Sequence, residues 1–389
     1  MSRGLYAEFS TPPWLPARAP EIVRKFSAYG HEIQAIGGFW KAQMQFLTIE
    51  SKGEDWLENG VARFVTVFSY TNKTVFRGFV NSISINTGAT TWRKGPLLEV
   101  VNHAATLYTP LDWSVFPPVQ GTPTITAYAN DSPSQKRYGL HEGILQVPPR
   151  DQTYANNYAE RARDRYLEER HLPKITSSIS VAPGSGARPV VTLEILGLVH
   201  WLKQFVYAAA TGSTTVRAKL GVILASDPNT VLNPTTNYLA ANAFAVGALE
   251  AKNRRGLDII LSDLLPIGDG TSADIRMLFG VYDNDAAHYE QAPSSLYYEY
   301  NLSHSMQAIR DYSGRGIIDP WDVRPGKWIT VPDFLIGRGV GTADIKDDPR
   351  NKFIESVKFT APHTVDLSGG STDKLSQILA KLTYSGAIY

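Results

Sequence analysis

VFRGFVNSISINTGATTWRKGPLLEVVNHAATLY, residues 75–108, is the stretch on which the fold turns. Val75, Arg77, Phe79, Asn81, Ile83 and Ile85 share one parity and Phe76, Gly78, Val80, Ser82 and Ser84 the other, so the segment predicts a strand. Both faces carry apolar residues, as in a strand held between two packed layers. Gly78 stands where a side chain is expected, which in a strand marks a bulge or a close backbone approach. Asn86-Thr87-Gly88 supplies a turn. The return segment from Gly95 to Asn102 has apolar pairs too dense for a solvated loop. A strand, a turn and a packed return together predict the closing half of a β-barrel.

Working outward, Glu32–Ile49 reads as two strands broken at Gly37-Gly38, and Val61–Tyr70 alternates into a hairpin turn at Thr71-Asn72-Lys73-Thr74. Between them Asp55–Gly60 reads as one helical turn with a glycine stop. Strands this dense, joined by short turns, indicate a barrel or sandwich. Residues 1–20 hold four prolines and no periodicity. They predict an extended arm, lying on a neighbouring subunit or loosely attached.

The order Gly37-Gly38-Phe39-Trp40, apolar strand, Trp56-Leu57-Glu58-Asn59-Gly60, apolar strand, Phe76–Ile83, Gly95–Tyr108 resembles the N-terminal half of tail structural proteins of long-tailed phages and prophages. It is most similar to ring-forming hub or tail-tip proteins related to the central hub of contractile tails. Ser134-Gln135, Tyr138-Gly139 and Glu142 resemble a recurring element of the same family. Arg324-Pro325-Gly326, Asp348-Pro349-Arg350 and Phe353–Val357 resemble the end of its second barrel. The resemblance spans most of residues 35–360. It implies assembly and no active site.

Combined with that resemblance, the chain is expected to be mainly β with an α insertion (α+β), built as two hub-like β-barrel domains. Residues 1–20 would be the arm and 21–113 the first barrel. Residues 114–172 would be a proline-rich connector and bridging helix, the helix covering Tyr154–His171 with Tyr158, Ala162, Tyr166 and Leu167 as its stripe. Residues 173–196 and 314–389 would form the second barrel, interrupted by a mainly helical insertion over 197–313. Within that insertion Gly197–Ala210, Val216–Ala225 and Asn237–Leu265 predict helices, the last broken near Asn253–Gly256 and stopped at Pro266-Ile267-Gly268. Strands are expected at Ile175–Val181, Pro189–Leu196, Ile275–Tyr282, Ser294–Tyr300, Lys327–Val331 and Phe353–Phe359. Short helices are expected at Met306–Tyr312 and, capped by Ser371, through Leu382.

Composition narrows the function. At 389 residues the chain can bury real cores, and 43% hydrophobic with 19% charged residues is ordinary for a globular protein. The 38 basic and 37 acidic residues nearly cancel, so no overall field attracts nucleic acid or an anionic membrane. Cysteine is absent, which removes disulfides, thiolate catalysis and thiolate zinc sites. No segment has the form of a signal peptide or the ~18 apolar residues of a spanning helix, so synthesis and folding in a cytoplasm are expected. Eight Trp, 19 Tyr and 15 Phe suit sheets, subunit contacts or glycan binding.

The search for chemistry returns turns and core positions. His200 and Trp201 lie on an apolar face and read as packed. Asp283-Asn284-Asp285 with His288 lacks the glycine and distal glutamate of a calcium loop. His141-Glu142-Gly143 has no second histidine at helical spacing. Gly268-Asp269-Gly270 and Gly337–Gly341 do not join a parallel strand to a helix as a phosphate loop must. Glu54/Asp55 and Asp347/Asp348 are adjacent in sequence and read as surface pairs. No catalytic, cofactor-binding or metal residue is assigned, and no cofactor. The expectation is a non-enzymatic virion protein of the phage tail, assembled in the host cytoplasm. It would form a homotrimeric ring, with a hexamer as the alternative, that closes the tail tube. It would meet the tube protein, the tape-measure protein and other tip proteins, with DNA passing through its lumen and no membrane binding of its own. The rival class is a glycan-binding or glycan-degrading β protein of the tail.

Overall fold

The structure is a computed structural model. It describes residues 5–88, 90–179, 188–207, 214–232, 238–242, 244–246, 254–268, 276–282, 285–300, 309–313, 318, 320–330, 351–360 and 364–369. The expected turn at 183–186, the glycine run at 337–341 and the C-terminal helix from Ser371 lie outside these residues.

The first 86 residues supply β1 (Tyr6–Ser10), β2 (Glu21–Val23), β3 (Ala28–Gln34), β4 (Gly37–Leu47), α1 (Glu50–Asn59), β5 (Phe64–Phe68) and β6 (Thr74–Asn86). After the turn come β7 (Thr90–Lys94) and β8 (His103–Tyr108). The connector holds β9 (Pro110–Asp112), β10 (Val119–Gln120), β11 (Thr124–Ile125), β12 (Ala129–Asn130), α2 (Ser132–Tyr138), β13 (Glu142–Gln146) and β14 (Arg150–Asp151). It is followed by α3 (Ala155–Arg170), β15 (Ile175–Ile179) and β16 (Val190–Gly197). Downstream lie β17 (Val206–Tyr207), β18 (Thr214–Thr215), α4 (Val216–Ala225), β19 (Ala245–Val246), β20 (Arg254–Arg255) and α5 (Gly256–Ile259). The last strands are β21 (Met277–Val281), β22 (Ala287–Gln291), β23 (Leu296–Tyr300), β24 (Ile309–Asp311), β25 (Trp328–Thr330), β26 (Asn351–Thr360) and β27 (Thr364–Gly369). The chain is thus mostly β with a few helices, an α+β fold as expected.

One sheet carries the molecule. Its main path runs β2-β1-β5-β6-β16-β4-β3-β26-β25-β23-β24, and β7, β15, β21, β22 and β27 branch from it. Sixteen strands take part, and among the described residues they do not close into a barrel. The expected boundary between a first and a second barrel is crossed twice. β16 lies between β4 and β6, with Leu193 opposite Met44 on one side and Ile83 on the other. β26 pairs with β3. Val191, Leu193 and Ile195 of β16 are buried, and a strand so covered needs a hydrogen-bonded neighbour at each edge. Its sequence position after α3 conceals that placement.

β6 is the long strand its pattern predicted, buried on both faces over most of its length. Its first half pairs β5 and its second half β7 along one edge, while β16 runs along the other. The ladder slips between Val67 and Phe68 of β5 and again between Glu194 and Ile195 of β16. Gly78 marks a close approach: a Cβ there would lie 2.1 Å from the Leu196 carbonyl oxygen. Its partner in register, Gly197, is tighter still, with a Cβ position 1.6 Å from the Phe39 carbonyl oxygen.

Two expectations fail in the N-terminal region. Part of the arm is a sheet strand: β1 pairs with β5 and β2, with Ala7 and Phe9 buried, while residues 11–20 form neither strand nor helix. The single helical turn is a ten-residue helix whose Gly60 keeps a right-handed φ of −84°. Glycine stands there for space, since a Cβ would press to 2.4 Å on Ile83 Cδ1.

The insertion is less helical than expected. α4 forms over Val216–Ala225, with the Thr215 side chain accepting the Ala218 N–H as N-cap. Leu198–Lys203 is a 3₁₀ segment, however, and β17 follows it. Val199, His200, Trp201, Leu202 and Phe205 are all buried, so helical spacing of apolar residues there reported burial on every side. Before α5 the described parts of 237–255 hold the short strands β19 and β20 and no α-helix. β17 pairs β20 and β18 pairs β19, closing the segment at its neck. Nor is it a separate domain, because Leu220, Ile223, Leu257 and Ile260 belong to the same core cluster as Ile83 and Leu193. The expected helix at Met306–Tyr312 contains strand β24, paired with β23. Among the described residues a small second core lies within β23–β27, around Tyr298, Val323, Ile329 and Ile354.

The glycine facing Phe39 gives a direct test. Gly197→Ala is expected to lower unfolding free energy by roughly 2–4 kcal/mol, because backbone cannot yield as a side chain can. Gly221→Ala, with nothing within 4 Å of its Cβ position inside α4, is expected to raise it by about 0.5–1 kcal/mol. Urea unfolding of both variants checks the pair.

Candidate functional site

Three surface features and one internal knot are built by these elements. The knot forms where β8, α2 and β13 meet. Asn102 is fully buried; its Nδ2 donates to Ser134 Oγ at 3.1 Å and to the Gly139 carbonyl at 2.8 Å, and its Oδ1 accepts the His141 N–H at 2.8 Å. Gln135 Nε2 donates to the Asn102 carbonyl at 2.8 Å, and Ser134 Oγ donates to the His171 carbonyl at the end of α3. Glu142 extends the knot into the insertion, accepting the Val206 N–H at 2.7 Å while Arg255 donates to its carbonyl at 2.6 Å. The Ser134-Gln135, Tyr138-Gly139 and Glu142 element is therefore a clamp between the connector and the insertion. Asn102, its centre, was missed in the sequence because a lone buried asparagine leaves no periodic trace.

α2 is held in place by local chemistry. Asp131 caps its start by accepting the Ser134 N–H, Pro133 occupies the first turn, and Gly139 ends it at φ +84°. Lys94 Nζ and Arg137 Nη2 both donate to the Glu58 carbonyl near the end of α1, at 2.7 and 2.6 Å. Cations suit that negative helix terminus. Burial and the neighbouring Arg137 lower Lys94 to about 8, against the opposing pull of Glu58.

The first surface is a trough of about 830 Å³ on the polar face of β26, β3, β4, β16, β6 and β7. Glu32, Lys41, Gln43, Gln45, Ser82, Thr192, Glu194 and Lys358 line it. Glu32 pairs with Lys41 at 3.2 Å, and Glu194 accepts from Ser82 at 2.8 Å with Arg93 at 3.8 Å. Lys41, Arg93 and Lys358 against Glu32 and Glu194 leave one positive charge on this face. The opposite parity of the same strands, Tyr29, His31, Met44, Leu193 and Ile83, is core.

The second surface is the sheet's unpaired edge. Among the described residues β15 pairs only with β7, and all five of its residues are exposed, Ile179 to 78%. β2 and β27 are further outer strands, each with a single described neighbour. The third is an aromatic cleft of about 450 Å³ between β9, β14 and the start of α3. α3 itself packs on β8 through Ala155 and Ala159, one position round from the predicted stripe, and Tyr158 is exposed.

The motifs weighed for chemistry are dispersed. His200 is buried against Trp40, ring centroids 4.2 Å apart, and Trp201 stacks on Trp14 with Phe79 edge-on. Asp285 pairs with Arg77, and His288 lies against Tyr238. His141 Nε2 meets the Tyr138 carbonyl at 2.9 Å. Glu54 and Asp55 are exposed on α1, and Asp269, Gly270 and Asp347/Asp348 lie outside the described residues. Among the described residues no three His, Asp or Glu side chains gather as metal ligands would.

Among solved structures the chain is similar to the 43 kDa tail protein of prophage MuSo2 from Shewanella oneidensis, at 8% identity over 92% of each chain and a TM-score of 0.39. No family model and no curated protein matches it.

Three buried histidines set the acid limit of the fold. Burial, aided by Arg324, lowers His31 to about 3. Burial lowers His141 to about 4, and burial with Lys203 lowers His200 to about 4. The unfolded chain takes up these protons near 6.5, so their stabilising contribution is complete above that pH and is lost as pH falls toward the folded values. Unfolding free energy is expected to be level at neutral pH and to fall between pH 6.5 and 4. His31→Phe, which places a third ring between Phe76 and Phe359, is expected to shrink that fall in urea titrations run across the range.

Proposed function

We propose that this chain is a structural protein of the tail tip or baseplate hub of a long-tailed phage or prophage. Several copies close a ring at the end of the tail tube. The observation that carries this is a single continuous sheet with one face in the core, the other face polar, and outer strands that each have one edge unpaired among the described residues. Such a sheet is completed by another chain. The ordered resemblance over residues 35–360 to ring-forming hub proteins supports the same reading. The β1–β16 portion and the β23–β27 portion take the part of the two hub-like barrels, so that three copies present six similar positions; a hexamer is the alternative.

In this arrangement the polar trough faces the lumen. Its charges sum to a single positive one, so DNA or a tape-measure protein passes without strong attraction to phosphate. The tube protein and other tip proteins meet the ring's rims. The chain performs no catalysis and takes no cofactor; it is assembled in the host cytoplasm and ends in the virion.

β15 is the edge at which copies meet. A double variant, Ile175→Lys with Ile179→Lys, is expected to abolish the ring seen by native mass spectrometry and negative-stain imaging in the presence of tail partners. Both side chains are exposed, so the urea midpoint should not move. Wild-type protein that stays monomeric at high concentration with those partners would count against the ring itself. Rings persisting in the double variant would place the contact elsewhere.

A further inference from the structure

We propose that the cleft between β9, β14 and the first turn of α3 binds a saccharide. This inference stands apart from the ring, since it uses neither the sheet edge nor the trough.

The aromatic residues of this chain are mostly committed to packing. Trp14, Phe64 and Phe79 surround Trp201, and Phe9 and Phe46 meet Trp56. Of the eight tryptophans only Trp92 and Trp113 are exposed, and Trp92 is accounted for by its place opposite Ser177 on the edge pair β7–β15. Trp113 is 61% exposed and Tyr154 67% exposed, with Tyr158 beside them. Neither Trp113 nor Tyr154 stacks on another described ring. Leaving such surface in water has a cost, and a cluster of it marks a binding place.

The scaffold under these rings is fixed. β9 is held between β10 and β14, Gln152 N donates to the Leu111 carbonyl at 2.9 Å, and Asp112 Oδ1 accepts the Ser114 N–H at 2.9 Å. Tyr154 and Tyr158 are one helical turn apart, so their rings rise from one side of α3. Rings held on a rigid frame lose little freedom when a ligand stacks on them.

What sets the ligand's chemistry is the rim. Arg150 lies over the Tyr158 ring at 4.8 Å, and its guanidinium makes no hydrogen bond or ion pair among the described residues. Asp151, which lines the cleft, uses Oδ1 for the Thr153 N–H at 2.8 Å, and its Oδ2 takes no donor among the described residues. Planar donors and a carboxylate beside bare ring faces match a ligand with apolar C–H faces and hydroxyl edges, which is a sugar ring. An apolar protein segment would leave Arg150 and Asp151 desolvated and unpaired. The volume, about 450 Å³, lies in the range of small-ligand sites.

Isothermal titration with chitotriose, maltotriose and a lipopolysaccharide core oligosaccharide tests the site on the full chain. Saturable binding of at least one is expected. Trp113→Ala should weaken it at least ten-fold, and Arg150→Met at least three-fold, with the urea midpoint and the native mass unchanged. No saturable binding of any of the three at millimolar concentration overturns the proposal. So does a Trp113→Ala protein whose native mass changes, because the rings would then be a contact between copies. Ring assembly is read separately at β15, so either inference can fail without the other.

Discussion

The fold depends on how closely β16 can be pressed between β4 and β6. Gly197 and Gly78 face each other in register at one end of that ladder, and neither position has room for a methyl group. Phe39 and Leu196 carbonyls fill the space instead. With β16 seated, its Val191, Leu193 and Ile195 join Ile83, Ile85, Met44 and Phe46 in one buried layer. The opposite parity, Thr192 and Glu194 beside Ser82, Ser84, Gln43 and Gln45, forms the trough. A slip of one residue would exchange those two faces, so the glycine pair fixes register as well as distance.

Much of this was legible locally. The strand at β6, the turn after it, the extent of α3, α4 and the stop at Gly268 all follow from period and from turn chemistry, and the structure places each within a few residues of its expected bounds. What stayed hidden was partnership. Pairing between β16 and strands that precede it by more than a hundred residues has no local signature, and neither has the use of residues 6–10 as a strand. Proline at positions 12, 13, 16 and 20 disguised β1, although Ala7 and Phe9 alternate correctly for a half-buried strand. The 3₁₀ segment at Leu198–Lys203 failed for the opposite reason. Residues buried on all sides satisfy every periodic template at once, so spacing there could not separate a helix from an irregular core crossing.

The insertion shows the same principle in its packing. Trp201, Leu202 and Phe205 come from the chain just after β16, Leu220 and Ile223 from α4, and Leu257 from α5, yet all share the main core. Asp227 fastens one of its turns by accepting the Asn229 and Val231 N–H groups, and Asn229 clasps both backbone atoms of Leu140. The insertion is thereby anchored to the α2–β13 segment, the same segment that Asn102 ties to β8. A region that its helical period set apart as an insertion is thus bound to the connector by polar contacts and to the main core by apolar contact.

Seen from the surface, the same economy of buried apolar area explains where function can lie. The core absorbs most of the tryptophans, the trough keeps a single positive charge, and His31, His141 and His200 are buried with lowered pKa values. Two kinds of unabsorbed group stand out among the described residues: outer edges of strands such as β15, and the exposed ring faces of Trp113 and Tyr154. Backbone edges recognise other backbones with little regard to side chain, which suits copies of one chain meeting repeatedly. Ring faces beside an unpaired guanidinium recognise a particular small shape. The proposed ring contact and the proposed ligand site therefore draw on different unspent groups, one from the main chain and one from side chains.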